Sequence, residues 1–174
     1  DPLRARFGRR VVFDGCSALR PHENTVHTLR SGLFDTSPVN CTVTMAGDTL
    51  IGFRPAAMQA HARAIVESGT ALQLGVYQAG DVDNAERYLI KEGLVPKPYF
   101  WIILHGLPGL APMREPFAMV ETLMLTMRRI REIDEDSRVM VCAAGRSANN
   151  LAVTAMLLGA DIVRVGKEDT IYRW

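Results

Sequence analysis

Hydrophobic and polar positions along this chain alternate between two periods. Short runs with strand character fall at 11–15 (VVFDG), 41–45 (CTVTM), 72–77 (LQLGVY), 99–104 (YFWIIL), 138–143 (RVMVCA) and 161–166 (DIVRVG). Near-continuous apolar runs of this length suit strands covered on both faces. Between them the apolar spacing stretches to that of helices. Over Ala56–Ser68, residues Met58, Ala62, Ile65 and Val66 fall near one face, and Gly69 ends the segment. Asp81 is placed to cap a helix over Val82–Glu92, which Gly93 stops. Pro116–Ile133 is a longer helical segment with Arg128, Arg129 and Arg131 toward its C-terminal end, where they complement the helix dipole. Ser147–Leu158 is small and apolar and ends at Gly159, and Pro21–Ser31 carries a weaker helical pattern.

Strands alternating with helices predict an α/β fold with a parallel sheet and right-handed crossovers. Two architectures fit: a doubly wound open sheet, or part of a (β/α)8 barrel of the TIM type. A whole barrel usually takes about 250 residues, so 174 residues would make a partial barrel of about six parallel strands. The breaks at Pro96-Lys97-Pro98 and 107–112 read as loops, so residues 1–174 are expected to be one barrel-type domain. The apolar share of 48% and charged share of 22% are those of an ordinary globular protein. A net charge of +1 gives no field that would draw nucleic acid or an anionic membrane. No apolar run is long enough to suggest a membrane span, and the first ten residues have no signal-peptide core. Cys16, Cys41 and Cys142 are odd in number and far apart, which favours reduced, mostly buried thiols and a cytoplasmic location.

Familiar catalytic motifs are missing: there is no GxGxxG, P-loop, HExxH, GxSxG or CxxC. Candidate chemistry therefore rests on residues at the C-terminal ends of the predicted strands, which face one mouth in a barrel. These are Asp14 to Ser17, Gly47 to Thr49, Gln78 to Asp81, His105-Gly106, Gly145 to Ser147, and Glu168-Asp169. Glu168 is a candidate oxygen ligand for a divalent metal, and Asp169 a candidate general base or orienting group. Arg164 suits a substrate carboxylate or a pairing with Asp169; a plain structural ion pair in a solvated loop is the bland alternative. Gly145-Arg146 opens a helix and suits a phosphate, with Ser147 as an ordinary N-cap the simpler reading. Thr42 and Thr44 alternate on a predicted strand, where their hydroxyls could bind a small acid, although Thr is also a good strand residue. His105 could be a ligand or a base, but a lone His is more often structural. His22, His27 and His61 read as surface or packing residues.

Four stretches resemble the β-keto acid cleavage enzymes, the family typified by 3-keto-5-aminohexanoate cleavage enzyme. They are Gly75 to Asp81 with the helix after it, Tyr99 to Gly109, Ala144-Gly145-Arg146, and Arg164-Val165-Gly166-Lys167-Glu168-Asp169-Thr170-Ile171-Tyr172. The last is similar to R-V-G-x-E-D-N-x-Y and is the most specific. The resemblance implies a zinc-dependent (β/α)8 barrel that condenses a β-keto acid with acetyl-CoA, giving acetoacetate and a new CoA thioester. It implies that Glu168 is a zinc ligand and that Arg164 and Asp169 orient and deprotonate substrate. Gly145-Arg146 would lie near CoA, and Ser17, Thr42 and Thr44 would bind the β-keto acid. The family's H-x-H zinc pair has no counterpart here, so the chain is expected to lack the first strands; with no helical segment after the last predicted strand, it is expected to lack the last helix too. Three acidic positions of the family are Gln73, Gly75 and Gln78. Open sheet edges in a partial barrel would call for a homo-oligomer. The alternative is a divergent α/β domain without zinc that binds a small acid or a phosphorylated ligand.

Overall fold

The computed structural model describes residues 2–16, 22–46, 48–106, 115–143 and 148–166. Five parallel strands form the central sheet: β1 (Thr36–Asn40), β4 (Ala71–Val76), β5 (Phe100–His105), β6 (Arg138–Ala143) and β7 (Ile162–Arg164). Each strand lies beside its predecessor in the order β1-β4-β5-β6-β7. A doubly wound sheet reverses its strand order at a switch point. This sheet never reverses, so it is the wall of a partial TIM-type barrel and the open doubly wound alternative is set aside. Among the described residues, no helix is long and apolar enough to cross a membrane.

Strand alternation divides the core into two faces. Trp101 and Ile103 of β5, Leu72, Leu74 and Val76 of β4, and Val139 and Val141 of β6 belong to the larger core cluster, with the helices. Ile102, Leu104, Met140 and Cys142, joined by Tyr77, form a second cluster on the opposite, inner face. The helical layer comprises α3 (Pro55–Glu67), α4 (Ala79–Ala85), α5 (Pro116–Ile133) and α6 (Ala148–Leu157). In α5 the buried residues Met119, Leu123, Thr126, Met127 and Ile130 recur at helical spacing and form one stripe. Its start is fixed by Pro116 in the first turn and by the Glu115 carboxylate, which accepts from the Ala118 N–H at 2.8 Å. Ahead of the sheet lie two shorter helices, α1 (Pro2–Phe7) and α2 (His22–Leu29).

Several sequence-based expectations are corrected here. Among the described residues, the predicted strand 11–15 pairs only through the parallel bridge of Asp14 to Thr36. The predicted strand 41–45 is not in the sheet: β1 covers 36–40 instead. Residues 43–46 form β2 (Val43–Ala46), which pairs antiparallel with β3 (Thr49–Gly52) as a separate hairpin. Pro38 sits in β1 because of which way its backbone faces. Thr36 bonds with both N–H and C=O toward Phe13 and Gly15, whereas Cys41 N–H bonds across to Gly75. Residues two apart in a strand face the same side, so the N–H that Pro38 lacks would have pointed to the edge and not into the β4 ladder. In α3 the buried face is Met58, His61, Ala62 and Ile65, while Val66 is exposed. Helix α4 begins three residues before the predicted start. Asp81 lies inside it rather than at its cap, and its Oδ2 accepts from the N–H groups of Tyr77 at 2.8 Å and Gln78 at 3.1 Å. That is the reach-back half of a capping box. Of the three cysteines, Cys41 and Cys142 are buried as expected and Cys16 is exposed; all are free thiols.

Candidate functional site

The inner face of the sheet carries its polar residues strand by strand. Asn40 ends β1 and stands beside Gly75 of β4 in the parallel register. A Cβ at Gly75 would meet Asn40 Oδ1 at 2.9 Å, so the glycine makes room for the Asn40 amide. The Tyr77 hydroxyl donates to Asn40 Oδ1 at 3.2 Å. We therefore expect Gly75→Ala to displace Asn40, break the Tyr77 bond and cost about 1–3 kcal/mol by overpacking. Chemical denaturation checks this; an unchanged midpoint would count against the packing argument.

Two residues before Gly75, the Gln73 side chain helps hold the Asp14 charge without making a hydrogen bond of ordinary geometry. Asp14 Oδ1 also accepts from Thr36 Oγ1 at 2.8 Å. Burial pushes the Asp14 carboxyl above its ordinary value, and the Thr36 hydroxyl, the Arg164 charge and the Gln73 amide pull it partly back. Arg164 ends β7, at the far edge of the sheet from Asp14. Its charge nonetheless acts on Asp14, as it would across a wall that curls toward closure.

Three buried side chains at this end of the wall keep atoms without a hydrogen-bond partner. They are Asn40 Nδ2, Thr42 Oγ1 and Gln73 Oε1, on residues that are 1%, 0% and 1% exposed. Buried polar atoms are normally paired; Asn40 and Gln73 stand on adjacent strands, and Thr42 follows just after β1. Thr42 contributes to holding the Asp81 charge without making a hydrogen bond of ordinary geometry. Burial raises the Asp81 carboxyl, opposed by the N–H of Tyr77, the Thr42 hydroxyl and the N–H of Gln78. Burial likewise raises the Tyr77 phenol, which stays a neutral donor at neutral pH.

Of the residues predicted from sequence, Arg164 and Thr42 reach this region. Thr44 does not lie on the central sheet: it is half-buried on β2 of the separate two-stranded hairpin. Ser17, Gly145, Arg146, Glu168 and Asp169 lie outside the described residues. His105 is buried, with neither ring nitrogen partnered. By alternation it shares the helix-facing side with Trp101 and Ile103, away from Gln73 and Tyr77. Sequence reasoning missed Asn40 and Tyr77 as site residues and saw Gln73 and Gly75 only as lost acids. An Asn at the end of a strand, opposite a Gly in the next, was the available signal, but it needed the correct strand and register.

Zinc, which the family resemblance implies, needs three or four grouped nitrogen, sulfur or oxygen donors. Among the described residues, no three His, Cys, Asp or Glu side chains are grouped to hold an ion. The described residues do not fit a zinc site, and no chemistry is drawn through one below.

A family model described as beta-keto acid cleavage enzyme matches residues 13–173. The chain belongs to this family. The 3-keto-5-aminohexanoate cleavage enzyme of Fusobacterium nucleatum subsp. nucleatum is 28% identical over 131 residues, covering 75% of this chain and 44% of that protein. Among solved structures, apo ObcA superposes with a TM-score of 0.72 at 16% identity, covering 97% of this chain and 43% of its own. A ternary complex of ObcA with a C4-CoA adduct and oxalate gives 0.70 at 17% identity, covering 97% and 44%. These structural likenesses carry the fold alone. The chain spans less than half the length of these relatives.

Proposed function

We propose that the chain supplies the substrate-binding wall of an enzyme that cleaves a β-keto acid and transfers its acyl group to CoA. In balanced form, the bond between C2 and C3 of the β-keto acid breaks and the acyl fragment passes to the CoA thiol. The acetyl group released from acetyl-CoA joins the C2 carbon, giving acetoacetate. The observation that carries this reading is the set of unpartnered buried polar atoms on β1 and β4, together with a guanidinium on β7, on a family-matched wall. Arg164 would hold the substrate carboxylate as a charge-assisted pair, and Thr42 and Ser17 would offer hydroxyls to the acid. Asp169 would take or orient a proton, and Gly145-Arg146 would lie near CoA. Glu168 is proposed as a single metal ligand, and any ion would draw its further donors from beyond the described residues. Thr44 would act from the hairpin at the rim. A CoA adduct bound to the similarly folded ObcA is consistent with the CoA part of this reading.

Incubation of the protein carrying this chain with acetyl-CoA and a panel of β-keto acids, followed by acetoacetate detection, tests the proposal. Acetoacetate should form in step with a new CoA thioester. Consumption of β-keto acid without acetoacetate, or no turnover across the panel, would sink it.

A further inference from the structure

Helix α5 carries a second stripe besides the one that packs on the sheet. Phe117, Glu121, Met124, Leu125 and Arg128 recur at spacings of three and four and are all exposed. They lie opposite the buried Met119, Leu123, Thr126 and Ile130. Phe117 is 78% exposed and Met124 51%, so large apolar side chains stand in water beside charged ones. Such a row, rimmed by polar groups, marks a surface that another molecule covers. An open groove of about 430 Å³, lined in part by Met124, Leu125, Met127 and Leu158, deepens the patch.

Additional β/α units do not cover this face. Helix α5 packs on β5 and stands between α4 and α6, so units added beyond either edge of the sheet extend the helical layer sideways and not outward. The charges identify the occupant. Glu121 and Arg128 are seven residues apart, about 10 Å along the helix, with Met124 and Leu125 midway between them. Turned end for end, the row keeps its pattern with the two signs exchanged. Two copies of α5 packed antiparallel about a twofold axis between Met124 and Leu125 therefore set Glu121 of each against Arg128 of the other, and Met124 against Leu125. Parallel packing in the same register would oppose like charges. Both groups are available for such a contact. Glu121 makes no ion pair among the described residues, and Arg128 reaches Glu132 only at 4.0 Å.

We propose that the outward face of α5 docks a second copy of this chain, antiparallel across a twofold axis. This face lies on the outside of the wall, away from the open sheet edges, and the proposal stands apart from the cleavage reading.

Sedimentation velocity of the protein carrying this chain, over a range of concentrations, tests the proposal. The unmodified protein should self-associate. Glu121→Arg opposes Arg128 with a like charge at both symmetry-related contacts and should weaken that association about 10- to 100-fold. Arg128→Glu should do the same. The double variant carrying both exchanges restores opposite charges across the axis and should recover the association. A protein that stays monomeric throughout, single variants that associate as before, or a double variant no better than the singles overturns the proposal. Recovery in the double variant also separates lost pairing from lost folding.

Discussion

Acidification from pH 7 to pH 4.5 should cost this protein several kcal/mol of folding stability through two histidines. His61 and His105 are buried without hydrogen-bond partners. Burial, helped at His61 by His22, lowers each from its ordinary value of 6.5 to about 4. A group whose folded value is depressed binds its proton more readily in the unfolded chain. Here the contribution is fully present above pH 6.5 and falls as pH drops toward 4, because the unfolded chain takes up protons that the folded one refuses. The full difference corresponds to about 3 kcal/mol per histidine, against total stabilities of about 5–15 kcal/mol for typical domains. Asp14 and Asp81 act in the opposite sense. Their folded values are raised, so their protonation on acidification favours the folded state and offsets part of the loss. Urea unfolding at a series of pH values measures the slope. His61→Leu should flatten it by about half, since His61 packs against Phe53 and His22 through ring contacts and not hydrogen bonds. A flat profile between pH 7 and 4.5 in the unmodified protein would refute the assignment.

Arg164→Ala should lower kcat/KM for β-keto acid cleavage by about 1,000-fold, of the order seen when a buried charge partner or a preorganised stabilising group is removed. Two losses combine. The substrate carboxylate loses its guanidinium, and Asp14 loses a charge that helps keep it ionised. Arg164→Lys should recover part of the activity by restoring the charge without the planar fork. The substitution is expected to leave unfolding largely unchanged, because Arg164 ends a three-residue strand at the sheet edge and is only half-buried. A variant that keeps full activity, or one whose defect disappears at saturating substrate with kcat intact, would limit Arg164 to simple substrate capture or remove it from the site.

The sequence was most legible where period and punctuation agreed. Helix α5 begins and ends where Pro116 and its apolar stripe place it, and β6 matches its predicted run residue for residue. It was least legible at β1. Cys41 to Met45 has the stronger strand propensity, yet Thr36 to Asn40, more polar and holding a proline, joins the sheet. Register with β4 decides the matter, and register is a long-range property that propensity does not encode. That misplacement hid Asn40. The strands at Leu72 to Tyr77 and Tyr99 to Leu104 were placed to within one residue, but Tyr77 passed as a motif letter because its partner Asn40 lay on the misread strand. Arg164 drew notice because its segment resembles the family's R-V-G-x-E-D-N-x-Y stretch, and its role in the site is part of the proposal.

The polar residues of the proposed substrate wall arrive one strand at a time: Asn40 on β1, Gln73 on β4 and Arg164 on β7. A molecule gripping both margins acts as a clasp. A molecule that binds the curled wall in preference to an open one would return part of its affinity as closure of the sheet. Substrate recognition and the completeness of the barrel wall are thus two readings of one equilibrium, and a lesion that loosens either margin would weaken both.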